Sequence, residues 1–464
     1  MYAPETLFSQ MRQFFPPDLS PSYLRAELPA VWQTVELAAG GMLFALSIGL
    51  LLALIIGARL PGWRVLYSAV VALRCIPDLT LAILCVVLVG LGPGAGVLAI
   101  AVYYGAAMGK VGGDLFASAD RGPVESLAAT GAARFTVAFY GQLPLRFKDL
   151  LTYGAYDFEC AMRAAMIVGA VGAGGIGTEL VGAISDLQYQ RVTTLVVLLV
   201  VLIAIFDKIT WLVRKYPRLL LAFVALGAYS AWDLRPQMFA LSHTLDVLHR
   251  MWPPRLSPEQ IHGLPGLVGE TLLIAFAGTA IAMVAALPLG AAAARNLSPG
   301  WLREPVRRLL EILRAIPEVV WGLIFVSAAM MGLQAGVAAL ALHSAGVLGK
   351  LYAESLENVH AEPVISLAAT GAPGLAVASF AHLPLAFPPM AIQTLFRFEW
   401  NIRAAAVVGM IGAGGIGQAL YNAQQLFFYD QMLAYLLVTF LIVIVVDLAN
   451  SHIRERWKVT EGRI

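Results

Sequence analysis

Two acid–base pairs keep the same spacing in distant parts of this chain. Glu159 and Arg163 stand four residues apart, and so do Glu399 and Arg403. On a helix that spacing puts both members of a pair on one face. Arg74 recurs as Arg314, Asp78 as Glu318 and Asp207 as Asp447. Ionisable groups beside apolar spans pair with one another or line a path for solutes. Two readings stand for these residues: structural ion pairing, or a cytoplasmic gate on a translocation path. In the second, Arg74 and Arg314 offer a positive exit to an anion. Catalysis is not suggested. His262, His343, His360 and His382 show no metal-ligand spacing, and no Ser/His/Asp set or paired carboxylates occur. Cys75, Cys85 and Cys160 fit neither a metal site nor a disulfide framework and read as buried, inert thiols. No cofactor and no metal are expected.

The glycine run Gly172-Ala173-Gly174-Gly175-Ile176-Gly177, repeated at Gly412–Gly417, could be taken for a phosphate loop. It lacks the Gly-Lys-Ser/Thr ending that holds phosphate and magnesium. It sits in an apolar span, where small residues let helices approach closely; a wall of a substrate path is the other reading. No Walker sequence occurs, so any ATP chemistry belongs to a partner.

The elements that must position these residues come in two copies. Residues 74–177 return without a gap 240 positions later, with Ser126–Ala132 unchanged at Ser366–Ala372. Phe15-Pro16-Pro17 and Leu19-Ser20-Pro21 answer Trp252-Pro253-Pro254 and Leu256-Ser257-Pro258 at an offset of 237, so three residues enter around Pro299-Gly300. The expected organisation is a first repeat over 1–215, a linker over 216–250 and a second repeat over 251–464. A chain built from two copies of one membrane unit usually places a path between them.

Composition fixes the class. The chain is 59% hydrophobic and 13% charged, with a mean hydropathy of +0.77. Soluble domains carry about a quarter charged residues. Five spans per copy are predicted, near 33–57, 66–91, 94–110, 162–181 and 193–213, and near 270–294, 308–333, 335–350, 402–421 and 432–450. Basic residues gather on one side of them: Arg59 and Arg64 with Arg295, Arg303, Arg307 and Arg308; Lys110, Arg121, Arg134, Arg146 and Lys148; Lys208, Arg214, Lys215 and Arg218 with Arg454, Arg456, Lys458 and Arg463. The second long loop is thinner in charge, with Lys350, Arg397 and Arg403. By the positive-inside rule these segments face the cytoplasm. An eleventh crossing at Leu219–Trp232 would make the copies parallel, and without it they are inverted. Charge favours two parallel five-helix repeats, because the basic segments after spans one and five recur in both copies. No basic cluster reads as a nucleic-acid surface, and no cleaved signal peptide is expected.

A long cytoplasmic segment lies between the third and fourth spans, about 111–161 and 351–401. Loops of such length are usually functional. The first reads Glu125-Ser126-Leu127-Ala128-Ala129-Thr130-Gly131-Ala132, then Gly141-Gln142-Leu143-Pro144-Leu145. This is an Ala-rich helix ended by glycine, then a second helix and a Leu-Pro corner. Small residues on an exposed helix suggest docking against another protein.

The segment resembles the EAA motif of ABC importer permeases, whose Ala-rich helix and glycine seat in the ATPase subunit. The resemblance narrows with Leu73-Arg74-Cys75-Ile76-Pro77-Asp78, Phe158-Glu159 with Arg163-Ala164-Ala165, and Val168-Gly169 followed by the glycine run. Together they look like the permease of phosphonate- and phosphite-type ABC importers, over nearly all of both copies. It implies an all-α, multi-pass fold of the type I importer class with about 11 crossings, in a bacterial inner membrane. It implies two ATPase subunits, an extracytoplasmic binding protein and surrounding lipid as partners. The coupling residues carried over are Glu125, Ala128, Ala129, Gly131, Leu143 and Pro144, with Ala368, Ala369, Gly371, Leu383 and Pro384. Two departures stand out: the copies are fused, and Ile365 occupies the place of Glu125, so the two docking sites are expected to be unequal. The alternatives are an ion-coupled secondary carrier, a permease for another small solute such as methionine, and a non-transporting assembly subunit.

Overall fold

The computed structural model describes residues 12–234, 241–327 and 332–461, and the described residues are helical, with no strand among them. They divide into two compact units, Met1–Trp252 and Pro253–Ile464. In the first unit the helices are α1 (Pro21–Gly57), α2 (Trp63–Cys75), α3 (Asp78–Val89), α4 (Pro93–Ala117), α5 (Arg121–Ala129), α6 (Leu143–Val168), α7 (Ile176–Ser185), α8 (Tyr189–Lys215), α9 (Leu220–Asp233) and α10 (Leu241–Met251). The second unit holds α11 (Pro258–Ala293), α12 (Gly300–Ala315), α13 (Glu318–Ser327), α14 (Leu333–Glu357), α15 (Ala361–Ala369), α16 (Leu383–Val408), α17 (Gly415–Gln425) and α18 (Tyr429–Glu461). Seven helices are long and apolar enough to cross a membrane, or eight when the bent α6–α7 pair is counted as one.

Each unit is centred on one long helix pair, α1 with α4 and α11 with α14. Small residues let these helices meet at backbone distance. A Cβ added at Gly49 would come within 2.6 Å of Met108 Cβ, and one at Gly290 within 2.8 Å of Tyr352 Cβ. This is the small-residue packing that membrane helices use where apolar burial alone gives no net attraction.

The first span of each copy begins earlier than expected, at Pro21 and Pro258, and the second, third and fourth differ from the sequence expectation as well. The second span of each copy is two helices, broken at Ile76-Pro77 and Ile316-Pro317. Proline lacks an N–H and pushes the preceding residue out of the helical region, and Ile76 and Ile316 are extended, at φ/ψ of −75°/126° and −80°/117°. The charges then fit the helix ends: Arg74 and Arg314 fall in the last turn of one helix, Asp78 and Glu318 in the first turn of the next. Both placements complement the helix dipole. The third span continues to Ala117 and to Glu357, and the fourth begins at Leu143 and at Leu383. The long loops are therefore mostly helix, and Glu159, Arg163, Arg397, Glu399 and Arg403 lie inside α6 and α16. Arg397 is not a loop charge; it is buried.

Helix α9, within the expected eleventh crossing, spans 14 residues, or about 21 Å at 1.5 Å per residue, against a hydrocarbon core of about 30 Å. It lies against α1, where a Cβ on Gly227 would meet Ala39 O at 2.9 Å. Leu220 and Phe223 help close an apolar cavity of about 160 Å³ with Leu46, Phe147 and Phe158. Arg463 lies outside the described residues.

Candidate functional site

The two Ala-rich segments have the same local structure. Helix α5 starts at Asp120, whose side chain accepts a 3.1 Å hydrogen bond from the Gly122 N–H. It ends where Thr130 N–H donates to Leu127 O and Gly131 N–H to Ala128 O, with Gly131 at φ +82°. Helix α15 repeats this ending, with Gly371 at φ +78°. Glycine takes that conformation without the steric penalty a Cβ brings. A Cβ on either glycine would meet nothing within 4 Å. Each glycine therefore answers to the backbone turn rather than to packing.

Outward from the turns, the segments present surface that their own unit leaves uncovered. Glu125, Ala128, Ala129, Gly131 and Pro144 are exposed, with Leu143 half-buried; Ala368, Ala369, Gly371, Leu383 and Pro384 are all exposed. Val124 and Leu127, and Val364 and Leu367, form the half-buried face. Around them stand Ile365 at 63% exposure, Leu375 at 81% and Phe380 at 77%, with Phe139 and Tyr140 in the first copy. Exposed apolar side chains gathered on such a segment in each copy suit an interaction surface.

The presenting segments are tied to their unit. Arg146 Nη2 donates to Ser118 O, and Arg134 Nη1 donates to Arg59 O at 3.2 Å. In the second copy Asn296 Nδ2 donates to Leu356 O at 2.8 Å and meets His382 Nδ1 at 3.2 Å, while Arg307 pairs with Glu357. His382, a residue without an evident role in the sequence, is thus a buried anchor of this segment.

The glycine runs are backbone breaks as well as packing sites. Helix α6 passes through a wider turn at Gly169–Ala173, then turns by 56° into α7. Gly172, Gly174 and Gly175 have φ of 102°, 96° and 75°, and Gly412, Gly414 and Gly415 repeat this. The first helix of the unit receives the freed N–H groups. Gln33 Oε1 accepts from Gly175 and Thr34 Oγ1 from Ile176; Glu270 Oε2 accepts from Gly415 and Thr271 Oγ1 from Ile416. Close packing holds at Gly177, where a Cβ would fall 2.0 Å from Met166 O. The sequence reading as packing inside one continuous span missed the break.

The repeated charges pair differently in the two copies. Glu159 reaches across to α8, accepting from Thr210 Oγ1 and from Arg214 Nη2 at 3.1 Å. Glu399 pairs with Arg403 on its own helix. Arg163 Nε, Arg403 Nε and Arg314 Nε are buried and have no hydrogen-bond partner among the described residues.

Beneath α16 lies a polar centre that the repeat conceals. Arg397 Nε donates to Ser344 Oγ at 2.8 Å, Ser344 to Asn401 Oδ1 at 3.0 Å, and Asn401 Nδ2 to Thr279 Oγ1 at 2.8 Å. His343 Nδ1 meets Ile316 O at 2.9 Å, and its Nε2 lies 3.4 Å from Glu318 Oε2. Trp400 Nε1 donates to Glu318 Oε1 at 3.4 Å. At the 240-residue offset Arg397 answers Asp157, Asn401 answers Ala161, and Ser344 answers Tyr104. The signal was available: polar positions that fail to repeat within spans that otherwise do. Among the described residues no group of three metal-ligand types could hold a metal ion.

A family model described as binding-protein-dependent transport system inner membrane component matches residues 45–215 and again 286–459. The chain is 30% identical over 404 residues to the phosphate-import permease protein PhnE of Mycolicibacterium smegmatis, covering 82% of this chain and 76% of that one. It is 42% identical over 190 residues to the phosphite transport system permease protein PtxC of Stutzerimonas stutzeri, covering 41% of this chain and 69% of the relative. A second protein of that organism, HtxC, named as a phosphite transport system permease, is 35% identical over 206 residues, 44% of this chain and 72% of its own length.

Proposed function

The chain belongs to the family of binding-protein-dependent transport system inner membrane components, and from that premise we propose that it forms the whole membrane pathway of an ATP-driven importer for a small phosphorus oxyanion. It is a multi-pass inner-membrane transport subunit. In our reading each copy plays the part of one permease subunit, and a binding protein delivers phosphate, phosphite or a phosphonate. Two ATPase subunits seat on the segments around Glu125–Gly131 and Ile365–Gly371. ATP binding and hydrolysis then exchange outward-open and inward-open states, the alternating access that paired repeats allow. The pathway itself needs little affinity, because a switch works through differential binding to two states.

The observation that carries this reading is the duplication of an exposed Ala-rich helix ended by a left-handed glycine, one per family-matched copy, with apolar side chains around it. A secondary carrier has no use for two such surfaces. The test is the composition of the complex purified from its own membranes, joined to uptake of labelled phosphate, phosphite and methylphosphonate. Two Walker-motif ATPase subunits per chain and ATP-dependent uptake of one of these anions are expected. A chain that runs alone and moves solute down an ion gradient refutes the reading.

A further inference from the structure

We propose that Arg397 is the oxyanion contact on the translocation path, and that the first copy, with Asp157 at the matched position, supplies no second one. This rests on the function proposed above and deepens it by naming a site.

The guanidinium is built into its place. Arg397 is 8% exposed and sits within α16, and Ser344 holds its Nε in a hydrogen-bonded chain that joins α16, α14 and α11. Its Nη2 is buried without a hydrogen-bond partner among the described residues. A buried, charged donor left unmade is among the costliest features a membrane span can carry, and such groups persist where they line a solute path. Ser344 holds Nε, while Nη2 keeps a donor unused, which an anionic oxygen reaching it would satisfy.

The surroundings suit an anion that must also leave. Glu318 lies close enough for its charge to act on Arg397, so an arriving oxyanion competes with a resident carboxylate and binds weakly. Trp400 is 42% exposed and reaches Glu318 through its indole N–H, with the Arg403 guanidinium 5.8 Å from its ring centroid. The indole is thus partly exposed while its N–H reaches the half of the polar centre that holds Glu318. In the first copy the matched Asp157 is 3% exposed, hydrogen-bonded by Tyr153, and keeps a second carboxylate oxygen buried without a partner. A buried carboxyl offers an anion none of the donors that a guanidinium does. The two copies have therefore diverged at one position, with a guanidinium in one and a carboxyl in the other.

The test uses the full importer, this chain with its ATPase and binding protein, in cells lacking other phosphate uptake. Initial rates are read for labelled phosphate, phosphite and methylphosphonate. Arg397→Gln is expected to lower maximal uptake about tenfold or more, the loss that one charged hydrogen bond accounts for. ATPase activity of the purified complex, stimulated by its binding protein, should stay within about twofold, and Asp157→Asn should lower uptake by less than about twofold, as no substrate contact is lost there. Ser344→Ala, which keeps the charge and frees Nε, is expected to lower maximal uptake about threefold with Ser344→Thr restoring it, in line with one neutral hydrogen bond. Unchanged uptake in Arg397→Gln, an equal loss in Asp157→Asn, or a parallel loss of ATPase stimulation overturns the assignment. If Arg397→Gln does not assemble, Ser344→Ala decides, and wild-type uptake there overturns it. A wild-type importer that takes up none of the three anions refutes the function first, and the site falls with it.

Discussion

The Gln33 side chain on α1 accepts a 2.7 Å hydrogen bond from the backbone N–H of Gly175, 142 positions further along the chain. With Thr34 Oγ1 on Ile176, it closes the N-terminus of α7, where the break in an apolar span frees backbone N–H groups. No water is at hand there to satisfy the freed N–H groups, so side chains must do so. Thr34→Val and Thr271→Val keep the shape and delete the acceptor, leaving a buried N–H unpaired. Each is expected to cost about 1–3 kcal/mol, read as a lower melting temperature of the purified complex. The second copy does the same with Glu270 Oε2. Because an amide oxygen suffices in the first copy, Glu270→Gln should leave uptake and melting temperature close to wild type. A large loss there would mean that Glu270 has a task beyond receiving Gly415.

Gly131 and Gly371 separate backbone strain from packing. Both have positive φ and open space around a Cβ. Asparagine visits this region readily and a β-branched residue does not. Gly131→Asn is expected to keep most ATP-driven uptake, whereas Gly131→Val should lose about 1–2 kcal/mol from the turn, by the usual cost of left-handed backbone, and uncouple ATPase stimulation. Equal behaviour of the two variants would remove the turn from the account.

Asp18 ties the segment before α1 to α8. Ser20 donates to its carboxylate, and Arg191 lies 3.7 Å away. These hydrogen bonds, chiefly those from Ser20, hold the carboxyl below the ordinary carboxylate range. A depressed pKa adds stability above that range, and the contribution is lost as pH falls through the folded-state value. Asp18→Asn should therefore lower the melting temperature at neutral pH and converge with wild type under acid. A constant gap at every pH would assign the loss to shape instead of charge.

The repeat made the elements of this fold legible. An offset that held from Arg74 to Gly177 placed the spans, the Ala-rich helices and the glycine runs in both copies before any coordinate was known. What stayed hidden depends on direction in space. Glu159 and Arg163 are spaced for one helix face, yet Glu159 turns to Thr210 and Arg214 on α8, because spacing along a helix says nothing about what lies beside it. Pro77 and Pro317 stood in plain view inside a long apolar stretch, whose hydropathy outweighed the break they force. Arg397 resembled a loop charge because the helix boundary was set by apolar residues alone. His343 shows no meaningful spacing in the sequence because its partners, Ile316 and Glu318, sit on the two sides of that proline break.

The two proposed coupling helices differ at Glu125 and Ile365, and under that proposal the difference sets how an ATPase subunit docked on each should respond to salt. Both side chains are exposed, on helices that also differ at Arg121/Ala361 and Gly122/Glu362 and match elsewhere. An exposed carboxylate acts through charge, contributes about 0.2–1 kcal/mol and is screened by added salt. An apolar side chain acts through buried area, contributes about 1.5–3 kcal/mol when fully covered and is indifferent to moderate salt. Glu125→Gln should thus weaken ATPase association by less than about fivefold, the equivalent of 1 kcal/mol, and only at low ionic strength. Ile365→Ala should weaken it more, and equally at low and high salt. Affinity of the purified chain for its ATPase, titrated at two salt concentrations, reads both effects. The same salt response in both variants would show that the missing acid leaves the two docking sites equivalent.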